Sequence, residues 1–380
     1  MARLGTIGAA LAALAFAASV AAQQPIKIAG LMELSGTGAT SGTNFDNGVK
    51  LAVKEINAAG GILGRKIEYT TGDTQSNPQI AKALAQKAVD DNVYVVMGPV
   101  FSGSIIVSMA ETRKAEIPNF TGGEAANITQ QGNPYIFRTS FTQTTAMPKV
   151  ARYIAQDLKA KTVAIIWVNN DFGKGGRDTI TKDLEKFGVK VVAEISTDPG
   201  QIDFSGAVLK AKQSNADALF VYTNEEESAR ALRELRKQGY DKPIVGETTL
   251  TGQKVIELAG DAANGAVAHV GLTADAPQPQ IKAFDERYQK EYKSRGDHNA
   301  LKGYSAVYFV KVLTERLGKV DPKAFAAAMH GAKFTVKDNP GVLLDVTFDN
   351  NGDLDRESFM TKAVNGKQQV IATLPPASAK

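Results

Sequence analysis

Cysteine is absent from the 380 residues, which removes disulfides, thiolate nucleophiles, iron–sulfur clusters and most structural zinc sites. Histidine is nearly absent as well: His269, His298 and His330 are the only three, and no HExxH places two of them on one helix face. Little is left with which to hold a catalytic metal. An excess of one charge is also missing, since 44 basic and 40 acidic residues leave a net +4. These charges are spread along the chain, without the basic patch or arm that a nucleic-acid binder concentrates, so no nucleic-acid partner is expected. Beyond residues 1–23 no apolar run approaches the roughly 18–20 residues that span a bilayer. GxxxxGK[ST] and GxSxG are absent too, excluding a phosphate-binding loop and a nucleophile elbow of the usual kinds. What remains is ordinary globular composition, 43% hydrophobic and 22% charged, in a chain long enough for two or three domains at roughly 150 residues each.

The first residues, MARLGTIGAALAALAFAASVAAQ, set one basic residue, Arg3, before an apolar stretch from Ile7 to Val20 and the small pair Ala21-Ala22. That order is the order of a secretory signal peptide. Cleavage is expected after Ala22, so that a mature chain beginning at Gln23 is delivered to the periplasm. The apolar stretch is about 14 residues, too short for a membrane anchor, and with no cysteine behind it a lipid anchor is excluded.

Strand and helix signals then alternate. Ile26–Leu31 is a short apolar strand, and Phe45–Ala58 places Val49, Ala52, Val53 and Ile56 at helical spacing before Gly60-Gly61 ends it. Lys66–Thr70 and Tyr94–Met97 read as strands, with helices from Pro78 and over Ser104–Ala115. The rhythm resumes with strands at Thr162–Val168, Val189–Ile195 and Ala218–Tyr222 and helices at Asp178–Phe187, Phe204–Ser214 and Glu226–Gln238. Gln280–Arg295, Leu301–Leu317 and Pro322–Gly331 predict further helices. Val342–Phe348 and Phe359–Ala363 predict antiparallel strands joined by the turn Asp349-Asn350-Asn351-Gly352. The β/α blocks 26–140 and 160–250 predict two doubly wound parallel sheets, each covered by helices on both faces. A cleft is expected between them at the carboxyl ends of the strands.

Catalytic readings find no supporting constellation. Gly36-Thr37-Gly38-Ala39-Thr40-Ser41-Gly42 is spaced GxGxxxG rather than as a dinucleotide fingerprint, and predicts a flexible loop entering a helix whose amides face the cleft. Ser102-Gly103-Ser104 follows a strand, but no histidine stands in a context that marks it as a base for either serine. Asp349, Asn351 and Asp353 begin like a calcium loop, yet Leu354 and Met360 occupy the positions that need glycine and glutamate. Glu225-Glu226-Glu227 opens a helix, where negative charge offsets the dipole, and capping accounts for two of the three. No enzyme, cofactor or metal is expected.

Several segments carry a resemblance. Ser35-Gly36 through Gly60-Gly61-Ile62, with Asp46-Asn47-Gly48 and Glu55-Ile56-Asn57-Ala58-Ala59 inside it, resembles the first βα unit of the leucine/isoleucine/valine-binding protein family. So do Gly98-Pro99-Val100-Phe101-Ser102-Gly103-Ser104, Asn170-Asp171-Phe172-Gly173-Lys174-Gly175, and Asn224-Glu225-Glu226-Glu227 leading to Leu235-Arg236-Lys237-Gln238-Gly239. The resemblance covers nearly all of 25–365. It implies an α/β protein of the type I periplasmic binding fold, with two doubly wound parallel-sheet lobes joined by three crossovers near Thr142–Gln143, Val270–Leu272 and Val346–Asp349. The N-terminal lobe would be 25–142 plus 271–346, and the C-terminal lobe 143–270 plus 347–380. The implied role is the periplasmic solute-binding component of an ABC importer, a monomer that captures an amino acid by hinge closure and delivers it to a membrane permease. The alternative is the same role for an aromatic carboxylate, an amide or a urea. Amide-sensing regulators share the fold but act in the cytoplasm, against which the signal peptide argues.

The resemblance also implies a site. Ser102 stands where the family places a hydroxyl on the ligand carboxylate, with Phe101 before it and the loop Gly122-Gly123-Glu124 beside it; a helix cap is the other reading of Ser102. Glu124 replaces a common hydroxyl residue, and beside a carboxylate it must point away or meet a cation. Ser41 and Asn299 replace aromatic residues, while Phe172 keeps one. Asn224 opens the fourth matching segment. The acid that pairs with the ligand ammonium falls at Thr248, with Glu247 adjacent, and the two cysteines that some relatives pair match Ser76 and Phe101. The pocket reads as more polar than a leucine pocket, with Glu124 and Glu247 either touching the ligand or standing solvated at the rim.

Overall fold

The computed structural model describes residues 24–379, and the expected signal peptide lies outside them. Five short strands, β1 (Ile26–Met32), β2 (Ile67–Asp73), β3 (Val95–Met97), β4 (Asn119–Thr121) and β5 (Ile136–Arg138), form an all-parallel sheet in the order β2-β1-β3-β4-β5. Helices α1 (Ala39–Ala58), α2 (Pro78–Asp90) and α3 (Ser102–Lys114) make the first crossovers. Every residue of β3, β4 and β5 is buried, as expected for parallel strands covered on both faces.

A second parallel set follows: β6 (Thr162–Val168), β7 (Lys190–Thr197), β8 (Ala218–Tyr222), β9 (Ile244–Glu247) and β10 (Val267–Val270). Around it stand α4 (Gln143–Arg152), α5 (Asp171–Lys186), α6 (Ser205–Gln213), α7 (Glu225–Lys237) and α8 (Gln253–Ala259). The chain then goes back to the first half through α9 (Pro279–Tyr292), α10 (His298–Leu317) and α11 (Pro322–Met329). Helix α10 lies against α1 at a glycine crossing. A Cβ on Gly48 would overlap the Ala300 carbonyl, and one on Gly303 would overlap the Phe45 carbonyl. That contact seats the first turn of α10 deep in the molecule, where His298, Asn299 and Lys302 are all buried.

A small antiparallel sheet of β11 (Lys333–Phe334), β12 (Val346–Phe348) and β13 (Leu354–Asp355) comes next. The hairpin β14 (Ser358–Val364) and β15 (Lys367–Leu374) then joins the second sheet, giving the order β15-β14-β10-β9-β8-β6-β7.

Three expectations need correction. Helix α1 starts at Ala39 rather than Phe45, because Gly42 sits under the Glu33 backbone with no room for a Cβ; the glycines there serve packing rather than a flexible loop. The Asp349–Gly352 turn pairs β12 with Leu354–Asp355, not with Phe359–Ala363. In it the Asp349 carboxylate accepts the amides of Asn351 (2.8 Å) and Asp353 (2.9 Å). The third passage between the sheets was expected at Val346–Asp349, but Val346–Phe348 is a strand of the small sheet and the chain enters the second sheet only at Ser358. We therefore place that boundary at Arg356–Glu357, beside passages between β5 and α4 and between β10 and α9. One residue from each passage meets the others. A Cβ on Gly271 would stand 2.6 Å from the Phe141 ring. The Arg356 guanidinium lies 5.6 Å from the same ring and donates to the Thr139 carbonyl at 3.1 Å.

Candidate functional site

A cavity of about 320 Å³ opens between the two halves at the carboxyl ends of both sheets, near the small end of the range for small-molecule sites. One wall is the start of α3. Glu33 accepts the amides of Val100 and Phe101, each at 3.1 Å, which fixes the turn before the helix. The amides of Ser102, Gly103 and Ser104 form the first turn, where a helix has no acceptors of its own. Ser102 is not a helix cap. Its Oγ accepts the Ala125 amide at 3.3 Å, tying α3 to the 122–125 loop, and its O–H has no acceptor among the described residues. Ser104 Oγ is buried without a partner among the described residues.

The 122–125 loop is held from behind by Arg138, which is wholly buried. Its guanidinium donates to the carbonyls of Gly123 (2.6 Å) and Ala125 (3.1 Å), to Thr129 Oγ1 (3.0 Å) and to the Asp353 carboxylate (2.7 Å). In front of the loop, Glu124 accepts the Tyr222 hydroxyl at 3.1 Å and faces Lys302 Nζ at 3.4 Å. Lys302 Nζ also stands 3.4 Å from the Gly122 carbonyl. Tyr222 stacks on Phe172 with centroids 4.1 Å apart.

The opposite wall is the start of α7. Asn224 and Glu227 form a capping box, with the Asn224 amide donating to Glu227 at 3.1 Å. Glu225 is free of that duty. Its carboxylate, buried in the cavity wall, accepts Ser41 Oγ at 2.8 Å and Asn299 Nδ2 at 3.3 Å. With Thr40–Glu226 and Tyr222–Glu124, these contacts join the two halves across the cleft.

Of the residues anticipated from sequence, Ser41, Phe101, Ser102, Gly122, Gly123, Glu124, Phe172, Asn224 and Asn299 line this one cavity. Glu247 and Thr248 do not. Glu247 lies behind the wall, accepting Thr248 Oγ1 and facing His269 Nδ1 at 3.1 Å, and Thr249 takes the place at the cavity. Neither Glu124 nor Glu247 is a solvated rim residue, at 6% and 1% exposed. Sequence reading missed Glu225, Lys302, His298 and Ser104 as lining residues.

Comparison with known proteins fits this arrangement. The periplasmic binding protein family matches residues 25–368. The chain belongs to that family. As a periplasmic binding protein it is 29% identical over 359 residues to the leucine-, isoleucine-, valine-, threonine- and alanine-binding protein of Pseudomonas aeruginosa, covering 94% of each chain. Among solved structures it resembles the branched-chain amino acid transporter substrate binding protein of Streptococcus pneumoniae in complex with isoleucine, with a TM-score of 0.82 and 27% identity over 92% of this chain and 99% of that one. A solute binding protein of an ABC transporter from Rhodopseudomonas palustris, in complex with 3,4-dihydroxybenzoic acid, shares the fold at a TM-score of 0.84 and 24% identity, over 93% and 97% of the two chains. The two sheets are thus the lobes of a type I periplasmic binding fold.

This periplasmic binding protein buries several carboxyl groups around its cleft, among them Glu33, Glu124 and Glu225. Burial pushes Glu33 and Glu225 up to about 7 and Glu124 up to about 8, the last helped by the nearby Glu247. A carboxyl raised on folding stabilises the native state while protonated, and that contribution is lost as the pH passes its folded value. The buried His269 and His298 are shifted down, so their opposing contribution weakens from about pH 6.5, where unfolded histidine is half neutral, and is nearly complete by about pH 7.5. Between about pH 6.5 and 7.5 the raised carboxyl groups outweigh the histidines, and above that the buried Lys149, lowered to about 8, begins to oppose them. The melting temperature of the ligand-free protein is expected to fall from about pH 6.5 to 7.5 in calorimetry at constant ionic strength; a rise would contradict the assignment of these buried groups.

Proposed function

We propose that the protein is the solute-binding component of an ABC importer, exported by residues 1–22, which captures an amino acid by closure of its lobes and passes it as a monomer to a membrane permease. The observation that carries the reading is the first turn of α3. Its free amides, Ser102 and the unpartnered Ser104 hydroxyl face a cavity shared by both lobes. Converging amides at a helix N-terminus suit a carboxylate, and Lys302 beside the same loop adds positive charge. Glu124 in the same loop offers an acid to the α-ammonium, and the Pseudomonas and Streptococcus relatives are named for amino acids. Closure follows because a ligand touching both lobes binds the closed form better than the open one.

A second reading, an aromatic carboxylate, is favoured by the apolar lining of Phe101, Phe172, Pro78 and Pro199. Titration calorimetry of the mature protein against L-amino acids and benzoate separates the two. At least one polar amino acid is expected to bind tighter than leucine, and Ser102→Ala is expected to weaken binding by about 1–2 kcal/mol, the range for a hydrogen bond to a charged group. Benzoate binding tighter than every amino acid would move the assignment to the second reading. Unchanged affinity in Ser102→Ala would remove the α3 turn as the carboxylate site.

A further inference from the structure

Glu225 takes no part in the capping box of its helix, and its bonds to Ser41 and Asn299 need only a neutral acceptor. Asn224 and Glu227 already cap α7, and Glu226 bonds Thr40. Its carboxylate is 3% exposed, and among the described residues no lysine or arginine pairs with it; the nearest cationic candidate is His298 Nε2 at 3.9 Å. Burial holds that histidine well below its usual range, so it is neutral and supplies no charge. Besides the Glu225 backbone amide and the N-terminal dipole of α7, the compensation among the described residues comes from two neutral donors, Ser41 Oγ and Asn299 Nδ2. Asn299 turns its amide nitrogen toward Glu225, as an ionised carboxylate requires, and its Oδ1 away. That Oδ1 is a second buried acceptor in the cavity wall, with no partner among the described residues.

A buried carboxylate without a cation is costly, and so is a buried carbonyl without a donor. One group satisfies both: a ligand cation with several N–H donors. Position decides which cation. The α-amine of an amino acid is attached to the same carbon as its carboxylate, so it must lie next to the α3 turn and the 122–125 loop. Glu225 makes its bonds to α1 and α10 instead, through Ser41 and Asn299. Asn299 and Lys302 lie one turn apart on α10, Lys302 facing the loop and Asn299 facing the acid on α7, so the two charges are held by successive turns of one helix. We propose that Glu225 and Asn299 form a subsite for a second, side-chain nitrogen cation, an ammonium or guanidinium, so that the ligand is a basic amino acid. The inference rests on the amino-acid reading above and narrows it.

The test is calorimetric titration with L-arginine, L-lysine, L-glutamine, L-leucine and benzoate on wild type, Glu225→Gln and Asn299→Leu. Arginine or lysine is expected to bind wild type at least tenfold tighter than leucine. Glu225→Gln should remove most of that margin while leaving leucine within about twofold, and Asn299→Leu, which keeps the charge, should remove part of it. Asn299→Leu keeps the question open to measurement should Glu225→Gln fail to fold. Glutamine binding as tightly as arginine, with both unchanged in Glu225→Gln, overturns the cation subsite. Arginine and leucine weakened equally in that variant would mean that Glu225 holds the α-amine, which also overturns it. Leucine binding tightest overturns it while leaving amino-acid capture intact. Binding of benzoate alone, with no amino acid bound, defeats the amino-acid reading itself.

Discussion

Arg138→Met is expected to destabilise the protein by about 3–5 kcal/mol, the cost of breaking a buried charged network by removing one partner. Methionine fills much of the same space, so packing is largely kept and the loss isolates the guanidinium. Four acceptors lose the guanidinium at once, the Gly123 and Ala125 carbonyls, Thr129 Oγ1 and the Asp353 carboxylate, while Gly123 keeps Ser140 Oγ and Asp353 keeps Thr129 Oγ1 as donors. The first two belong to the loop that lines the cavity, so ligand affinity should fall along with stability. Arg138→Lys keeps the charge opposite Asp353 but cannot fork to the loop carbonyls; it should recover part of the stability and less of the affinity. Equilibrium denaturation with urea measures the first quantity and calorimetric titration the second. A loss below about 1 kcal/mol for Arg138→Met would mean that water replaces the guanidinium at no cost, against the general expense of unpaired buried groups.

Much of this frame could be read from local pattern. Strands β6 and β8 occur at the residues anticipated, Thr162–Val168 and Ala218–Tyr222, because parallel strands buried on both faces are continuous apolar runs with polar residues at their ends. The start of α1 was misread, since closely spaced glycines signal a loop locally, whereas here Gly42 is required by the passing Glu33 backbone. The third passage was misplaced because an apolar triplet such as Val346–Phe348 does not reveal which sheet it joins. The tie between Asp353 and Arg138, which keeps β13 with the first lobe, is a contact over 215 positions.

The site divides in the same way. Ser102 and the Gly122–Glu124 loop were visible through the family resemblance, and the structure sets both just after strands at the carboxyl edge of the first sheet, where ligands collect. Glu225 was absorbed into a capping explanation that is correct for its neighbour Glu227. Its direction, across the cleft toward Ser41, depends on how the lobes meet. Lys302 did carry a signal: it is a single charge inside Leu301–Val310, a stretch buried throughout. A charge on an otherwise apolar helix needs a partner, which proved to be Glu124 from a distant loop. Glu247 shows the opposite failure, because adjacency to an expected ligand position placed it in the cavity, while the turn at Thr248, with φ +33, directs the chain so that Thr249 faces the ligand space instead.

The central claim, that a solute is held between two lobes that must part to admit it, is tested most directly by locking them. Thr37 and Gly200 face each other across the cleft mouth, and a Cβ on Gly200 would stand 3.1 Å from Thr37 Cγ2. Cysteines there fall close to the Cβ separation of about 3.5–4.5 Å that a disulfide needs, and a chain without cysteine offers them no other partner. Gly200 has φ +79, so cysteine at that position costs about 1–2 kcal/mol, a penalty shared by the reduced and oxidised forms being compared. The measurement is exchange of a radiolabelled amino acid, the tightest binder of the calorimetric panel, from Thr37→Cys/Gly200→Cys before and after oxidation. The reduced protein is expected to exchange its ligand freely. Protein oxidised with ligand present is expected to retain the label through extended dialysis, and protein oxidised without ligand to take up none. Equal exchange from the oxidised and reduced forms would contradict capture between the lobes.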